Sequence, residues 1–322
     1  DPLHYYSQDI DLFGRGSFFQ YLNRTALESG SDFLAKIFTE NKIDAIPKKQ
    51  QAITELAEMP KWRQQFSAIA SLVKIEVSAT EVTDWLKNYK AFVPKWIKTV
   101  SLLFSVISVT LIVLNFLDLV SGYAVAGWFF LGLAISGSYL KKVNDLSSHT
   151  SKIQSTFEQF YKLIKEIEHE EFASELLSEK RNLVVNSEKK ASTVLKKFAK
   201  HLDALDQRSN MLIGVIANGF MLRDLRQSYN IEQWILEHNA NVSVWFDAIT
   251  FFDAYNSLGN FAFNHPDYVF PKISDDVPVL KVKGAGHPLL KESTMVRNDF
   301  QINSEEFFIV TGANMAGKST FL

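Results

Sequence analysis

The sequence points to its architecture most directly at Phe307-Phe308-Ile309-Val310-Thr311-Gly312-Ala313-Asn314-Met315-Ala316-Gly317-Lys318-Ser319-Thr320. The four apolar residues at its start predict a short buried strand, and the loop after them should lead into a helix. Glycines separated by four residues let the backbone approach a polyphosphate, while loop N–H groups and the helix N-terminus supply positive partial charge. With Lys-Ser after the second glycine, the pattern is that of a phosphate-binding loop. The alternative is a glycine-rich turn that contains Lys-Ser by chance.

This loop predicts a site for ATP and Mg²⁺. Lys318 should reach the β- and γ-phosphates, and Ser319 should hold the Mg²⁺ ion. The residues expected to bind the nucleotide are Gly312, Ala313, Asn314, Met315, Ala316, Gly317, Lys318, Ser319 and Thr320. We expect the carboxylate that completes the magnesium site to follow Leu322, so no catalytic residue is assigned within this segment. The complete protein is therefore predicted to be an ATPase, whereas this segment alone should bind ATP weakly and hydrolyse none.

Two stretches just upstream narrow the family. Gly284-Ala285-Gly286-His287-Pro288-Leu289-Leu290 and Val296-Arg297-Asn298-Asp299, followed by the phosphate-binding loop with its Asn-Met pair, resemble the opening of the MutS-family ATPase domain. That family senses irregular DNA. The resemblance implies that Val296 and Asn298 lie against the adenine and that His287 lies near the nucleotide.

Segments at both ends of the remaining chain are similar to the helical core of the same family. They are residues 11–14, 17–25 and 50–56 near the N-terminus, and residues 252–259 and 268–271 before the ATPase segment. The predicted fold is mainly α, with a MutS-type helical core and lever region, a long hydrophobic helical hairpin, and then the first strands and phosphate-binding loop of an α/β ATPase domain. The predicted domains are a helical core (1–95), the hairpin (96–145), lever and core helices (146–275) and the N-terminal part of the ATPase domain (276–322).

The hydrophobic middle of the chain is where the family resemblance ends. Residues 99–117 contain no charged side chain, Asp118 follows, and residues 119–140 again contain none. Nineteen helical residues span about 28 Å, close to the hydrocarbon thickness of a bilayer. We therefore predict a hairpin inserted in a membrane through residues 99–140, with Asp118 at its tip. The alternatives are a buried hairpin in a soluble protein and an apolar surface for a partner.

The flanks of the hairpin predict its orientation. Lys95 and Lys98 precede it and Lys141 and Lys142 follow it, so both ends should stay on the cytoplasmic face of the membrane. Glycines recur at every fifth position between residues 122 and 137, a spacing that does not line one helical face and predicts no dimerisation surface.

Helical periodicity dominates elsewhere. Ser31 and Asp32 are plausible caps of a helix that buries Phe33, Leu34, Ile37 and Phe38, and Pro47 fits the first turn of the next helix. Two longer apolar stripes predict core faces. The first comprises Ala191, Val194, Leu195, Phe198, Leu202 and Leu205. The second comprises Val242, Trp245, Phe246, Ile249 and Phe252.

The charge balance limits how this chain could bind nucleic acid. With 34 basic and 36 acidic side chains, no global field draws it onto DNA, so DNA binding would be local or weak. One basic cluster could contact phosphates or could be a solvated face, and it comprises Lys180, Arg181, Lys189, Lys190, Lys196, Lys197 and Lys200. Cysteine is absent, which excludes disulfides and thiolate metal sites.

Three functions follow from these patterns. The preferred one is a membrane-tethered, MutS-like protein that couples ATP binding and hydrolysis to recognition of mismatched or irregular DNA, and that forms a homodimer through its complete ATPase domain. The second is a soluble cytoplasmic mismatch-repair ATPase with a buried hairpin. The third is a membrane-associated phosphate-loop ATPase that acts on a non-DNA partner or in transport.

Overall fold

The computed structural model describes residues 4–72, 77–185, 190–207, 211–273, 280–304, 306–313 and 317–321. Helices account for most of these residues, as predicted. They are α1 (Phe18–Leu22), α2 (Glu28–Thr39), α3 (Ile46–Glu58), α4 (Pro60–Ser71), α5 (Ala79–Asn88), α6 (Ile97–Phe116), α7 (Gly122–Ser138), α8 (Leu140–His169), α9 (Glu175–Val185), α10 (Ala191–Asp206), α11 (Met211–Met221), α12 (Arg223–Asn264) and α13 (Lys318–Phe321). The strands are β1 (Leu280–Ala285) and β2 (Asn298–Ile302).

The main core lies between α8, α10 and α12. Phe198 of α10 stacks on Trp234 of α12 with ring centroids 3.8 Å apart, and Phe157 of α8 meets Phe198 edge-on at 4.7 Å. All residues of the two predicted apolar stripes, on α10 and on α12, are buried. Burial of both stripes confirms them as core faces.

The beginning of α2 differs from the prediction. The helix begins at Glu28 and not after Ser31 or Asp32, and no side chain of its own caps it. Instead the buried Asp253 carboxylate of α12 accepts hydrogen bonds from the N–H groups of Ala26 (3.0 Å) and Leu27 (2.9 Å). A distant carboxylate thus satisfies N–H groups at this helix end, a task that a local cap usually performs. Pro47 lies in the first turn of α3, as predicted.

Helix α12 connects distant parts of the fold. Its 42 residues span about 63 Å. Near its start, the Glu232 carboxylate accepts hydrogen bonds from the Tyr89 hydroxyl (3.0 Å) and from the N–H groups of Phe92 (2.7 Å) and Val93 (3.0 Å), just before α6. Near its other end lies Asp253, which holds the start of α2. One helix therefore connects the base of the hydrophobic hairpin to the N-terminal helices.

The hydrophobic residues form the predicted helical hairpin. Helices α6 and α7 are joined by a turn in which Asp118 is exposed and has a left-handed backbone conformation, with φ of 57°. Asp118 therefore lies at the tip, as predicted. Helix α7 ends at Ser138, and α8 leaves it at an angle of 63° after one residue.

The strand predicted at Phe307–Val310 does not form. Strands β1 and β2 pair antiparallel with each other, and residues 306–313 contain no regular structure. A strand is held by hydrogen bonds to a neighbour, and neither described strand pairs with these residues. Phe307, Phe308 and Ile309 are exposed as a result.

Candidate functional site

The described part of the predicted phosphate-binding loop is centred on Lys318. Its ammonium group donates hydrogen bonds to the carbonyl oxygens of Gly312 (2.6 Å) and Ala313 (2.8 Å), so the lysine closes the loop on itself. Gly317 precedes it with φ of 82°, a left-handed conformation that glycine adopts without steric cost. An ammonium group has three donors, and these two bonds leave one for an anion. The cation, the glycine and the exposed backbone suit a polyphosphate ligand.

The structure describes some of the predicted nucleotide-binding residues and not others. Asn314, Met315 and Ala316 lie outside the described residues. Ser319 belongs to α13, and its predicted role in holding Mg²⁺ stays a prediction. The N–H group of Thr320 donates to the carbonyl oxygen of Gly317 at 3.2 Å, which closes the first turn of α13.

An aromatic cluster holds β2 against both sides of the loop. The Phe300 ring of β2 lies 4.7 Å from the ring of Phe308, which precedes the loop, and 5.4 Å from that of Phe321, which follows it. The residues on either side of the loop therefore pack on β2, the strand that begins with Asn298.

The upstream residues predicted from the resemblance lie on and between the two strands. The His287 Nδ1 atom accepts a hydrogen bond from the N–H group of Leu289 (3.2 Å), Val296 is exposed, and Asn298 opens β2 opposite Ala285. Within the described residues, no hydrogen bond or ring contact joins these three side chains to the loop. Their role in nucleotide binding stays a prediction.

A third apolar helix, α11, packs on the hairpin and was not predicted. The Ser108 hydroxyl of α6 donates to the carbonyl oxygen of Phe220 in α11 (2.6 Å) and accepts from Trp128 Nε1 of α7 (2.8 Å). Phe104 stacks on Trp128 at 4.2 Å, and Phe129 lies 5.0 Å from Phe220. Together α6, α7 and α11 form what we call the apolar bundle. The available sequence signal was the absence of charge from residue 211 to 222, which is too short for a membrane span.

The outer surface of the apolar bundle consists of large hydrophobic side chains. In the most apolar stretch of α6 only 22% of the residues are buried, although the mean hydropathy is 2.3. By length and composition, α6 is the one described helix that could cross a membrane, and a second span exists if α7 and α8 count as one bent element. The exposed residues of α6 and α7 include Leu102, Leu103, Val106, Ile107, Val109, Ile112, Val113, Phe116, Tyr123, Phe130 and Leu131.

The base of the apolar bundle is basic and well ordered by hydrogen bonds. Lys95, Lys98, Lys141 and Lys142 are all exposed there, and the Lys142 ammonium lies 5.8 Å from the centre of the Phe92 ring. Burial raises the pKa of Glu232 beside them, against the opposing effect of its three hydrogen bonds. Positive charge therefore surrounds only one end of the hairpin.

The basic cluster predicted on α9 and α10 is partly engaged within the protein. The ammonium groups of Lys180 and Lys196 lie 5.2 Å and 5.8 Å from the ring centres of Phe251 and Tyr161. The Arg181 guanidinium donates to the carbonyl oxygen of Glu168 at 3.0 Å. The remaining described members are exposed, and they are Lys190, Lys197 and Lys200, while Lys189 lies outside the described residues.

Part of the chain is similar to DNA mismatch repair proteins. The chain is 26% identical to the DNA mismatch repair protein MutS of Syntrophomonas wolfei over 149 residues, which are 44% of this chain and 16% of that protein. It is 29% identical to MutS of Thermotoga maritima over 147 residues (45% of this chain, 17% of that protein) and 31% identical to MutS of Rhodopirellula baltica over 150 residues (44% and 15%). These similarities support a MutS-like relationship.

The matched segments cover only a small part of each relative. The chain spans less than a fifth of the length of these relatives, at 16%, 17% and 15%. No protein-family model and no solved structure matches it significantly.

Proposed function

We propose that this chain is part of a MutS-like protein, attached to the cytoplasmic face of a membrane, that couples ATP binding and hydrolysis to recognition of mismatched or irregular DNA. The observation that carries the proposal is the similarity to DNA mismatch repair proteins over 44% and 45% of the chain. The Lys318 contacts within a glycine-containing loop support the nucleotide part. The exposed outer face of α6 and α7 supports the membrane part.

In this proposal the nucleotide binds across the phosphate-binding loop. Lys318 exchanges the carbonyl oxygens of Gly312 and Ala313 for phosphate oxygens, because a charged acceptor is a stronger partner for an ammonium than a carbonyl. Ser319 would hold the Mg²⁺ ion, which would supply positive charge to offset that of the phosphates, and Val296 and Asn298 would lie against the adenine. Two complete ATPase domains pair in a homodimer.

A change in the loop on nucleotide binding would be carried to β2 by the aromatic cluster around Phe300. When the Lys318 ammonium leaves the carbonyl oxygens of Gly312 and Ala313, that end of the loop is no longer held to Lys318. Phe308 before the loop and Phe321 after it both contact the Phe300 ring of β2. A shift of the loop would therefore be felt at β2.

Nucleotide binding by the full-length protein tests the proposal. Lys318→Ala should weaken binding of a fluorescent ATP analogue about tenfold or more, because it removes a charge-assisted contact. It should also abolish any ATPase response to DNA while far-UV circular dichroism stays unchanged. Lys291→Ala, at an exposed lysine of the same segment, is the matched control and should behave like the wild type.

The same assay separates DNA from other partners. Hydrolysis should rise with mismatched or branched DNA more than with plain duplex, and the effect should weaken with salt. Hydrolysis that ignores every DNA would favour a membrane-associated ATPase with a non-DNA partner or a transport role, which the exposed apolar bundle also fits. Hydrolysis retained by Lys318→Ala would contradict the nucleotide site itself.

A further inference from the structure

Helix α11 exposes an entirely apolar face, which is unusual for a short surface helix. The exposed residues of this helix include Leu212, which is 76% accessible, and Ile216, which is 56% accessible, together with Ile213 and Val215. Among its described residues only Gly214 and Gly219 are buried. Its eleven residues span about 16 Å, roughly half the hydrocarbon thickness of a bilayer. The helix is too short to cross a membrane and long enough to lie within one leaflet.

Small residues bring α11 against the hairpin at backbone distance. A Cβ atom on Gly132 of α7 would overlap with the carbonyl oxygen of Gly219, and one on Gly219 would overlap with the Phe129 ring. The Ser108 hydroxyl adds a hydrogen bond to the Phe220 carbonyl. Close packing through glycine and hydrogen bonds from serine are typical of helices that associate in membranes, where apolar surface gives no net attraction between helices.

We propose that α11 is a third lipid-contacting element, whose exposed aliphatic face lies among the acyl chains of the leaflet nearest the basic end of the hairpin. The inference rests on the proposed membrane attachment and extends it beyond residues 99–140. Its exposed side chains carry no hydrogen-bonding group for a polar partner. The chemistry that fits them is hydrocarbon.

The charges around the apolar bundle favour a bilayer as the occupant of this face. The exposed lysines at positions 95, 98, 141 and 142 all lie at the base of the hairpin, where they complement anionic lipid headgroups. The next helix begins with Arg223 and Asp224, directly after the charge-free segment, and the Arg223 guanidinium donates to the carbonyl oxygen of Ala204 (3.1 Å) in α10. The chain thus returns from α11 straight to the helical body.

Single-cysteine labelling tests the proposal, in a full-length protein in which any cysteine outside residues 1–322 is replaced by serine, because residues 1–322 contain none. Ile216→Cys reports on α11, Val106→Cys on the exposed middle of α6, and Leu236→Cys on an exposed apolar position of α12. Each variant of the full-length protein is labelled with a small fluorophore. It is then reconstituted into phosphatidylcholine–phosphatidylglycerol vesicles with or without bromine on the acyl chains, because bromine quenches only probes that reach the hydrocarbon.

We expect brominated chains to quench the probes at 216 and 106 to a similar extent and to leave the probe at 236 unaffected. Quenching at 106 without quenching at 216 would overturn the assignment of α11 and leave the membrane attachment standing. Quenching at neither position would remove both proposals. A disulfide that links two copies of the unlabelled Ile216→Cys variant in vesicles, together with an unquenched probe, would assign the face to a second copy of the chain and overturn the lipid contact.

Discussion

The helical body (α8, α10 and α12) and the apolar bundle contain the same types of apolar residue. The body buries these residues, whereas the bundle leaves many of them exposed. In the body a stripe such as Ala191 to Leu205 is buried and the other faces are polar. In the bundle the apolar residues surround each helix, and contacts such as Ser108 with Phe220 cover only one side. The three helices leave many large apolar side chains of the bundle exposed, whereas the body buries its own.

The largest effect that separates the two regions should come from removing an aromatic ring in each. Phe198→Ala deletes a buried ring that stacks on Trp234, and it should lower the free energy of unfolding by about 3–5 kcal/mol. Phe130→Ala deletes a ring that is 65% exposed on α7, and it should change the free energy by no more than about 0.5 kcal/mol. Denaturant unfolding in mild detergent, followed by far-UV circular dichroism, measures both. Equal losses would mean that Phe130 is buried in a protein core and would end the distinction.

The pH dependence of stability should be set in the body, where Asp253 is buried. Burial raises the pKa of Asp253 from 3.8 to about 6, although its hydrogen bonds from Ala26 and Leu27 oppose the shift. In the pH range between these two values, the folded state holds a proton that the unfolded state has lost, so the free energy of unfolding should fall as the pH rises. The loss should total roughly 2–4 kcal/mol.

Asp253→Asn isolates this contribution. Asparagine keeps the shape and an acceptor oxygen for the Ala26 and Leu27 N–H groups but does not titrate. Unfolding midpoints of the variant should therefore vary less between pH 4 and pH 6 than those of the wild type. Identical pH profiles would show that Asp253 is not the group responsible.

The sequence predicts the parts of this fold that depend on local pattern. The stripes on α10 and α12, Pro47 in the first turn of α3 and Asp118 at the tip of the hairpin are read from residues that lie close together in the chain. The start of α2 is not predictable in this way because its cap, Asp253, comes from another helix. The missing strand at Phe307–Val310 has the same cause, since a strand requires a partner as well as apolar residues.

Sequence reasoning reached the loop of the candidate site more easily than the apolar bundle. The spacing of Gly312, Gly317 and Lys318 predicts a phosphate-binding loop without any structure, although it does not show that Lys318 binds loop carbonyls. Helix α11 had only a short charge-free segment as its signal. The structure shows that α11 packs on α7 where Gly219 meets Gly132. In the sequence, Gly132 is one of four glycines spaced five residues apart, and nothing distinguishes it from the other three.

The smallest effect, and the sharpest test of packing within the apolar bundle, comes from two glycines of α7. Gly132→Ala should lower the free energy of unfolding by about 1–3 kcal/mol, because the new methyl group would overlap with the Gly219 carbonyl, a backbone atom that cannot rotate away. Gly127→Ala, five residues earlier, has no atom within 4 Å of the added carbon, and it should raise stability by about 0.5–1 kcal/mol through helix propensity. Unfolding in mixed micelles with increasing dodecyl sulfate measures both variants in an apolar phase. Opposite signs would show that α11 is docked through Gly132, whereas two equal gains would show that α7 packs against nothing at that position and that the bundle has only two helices.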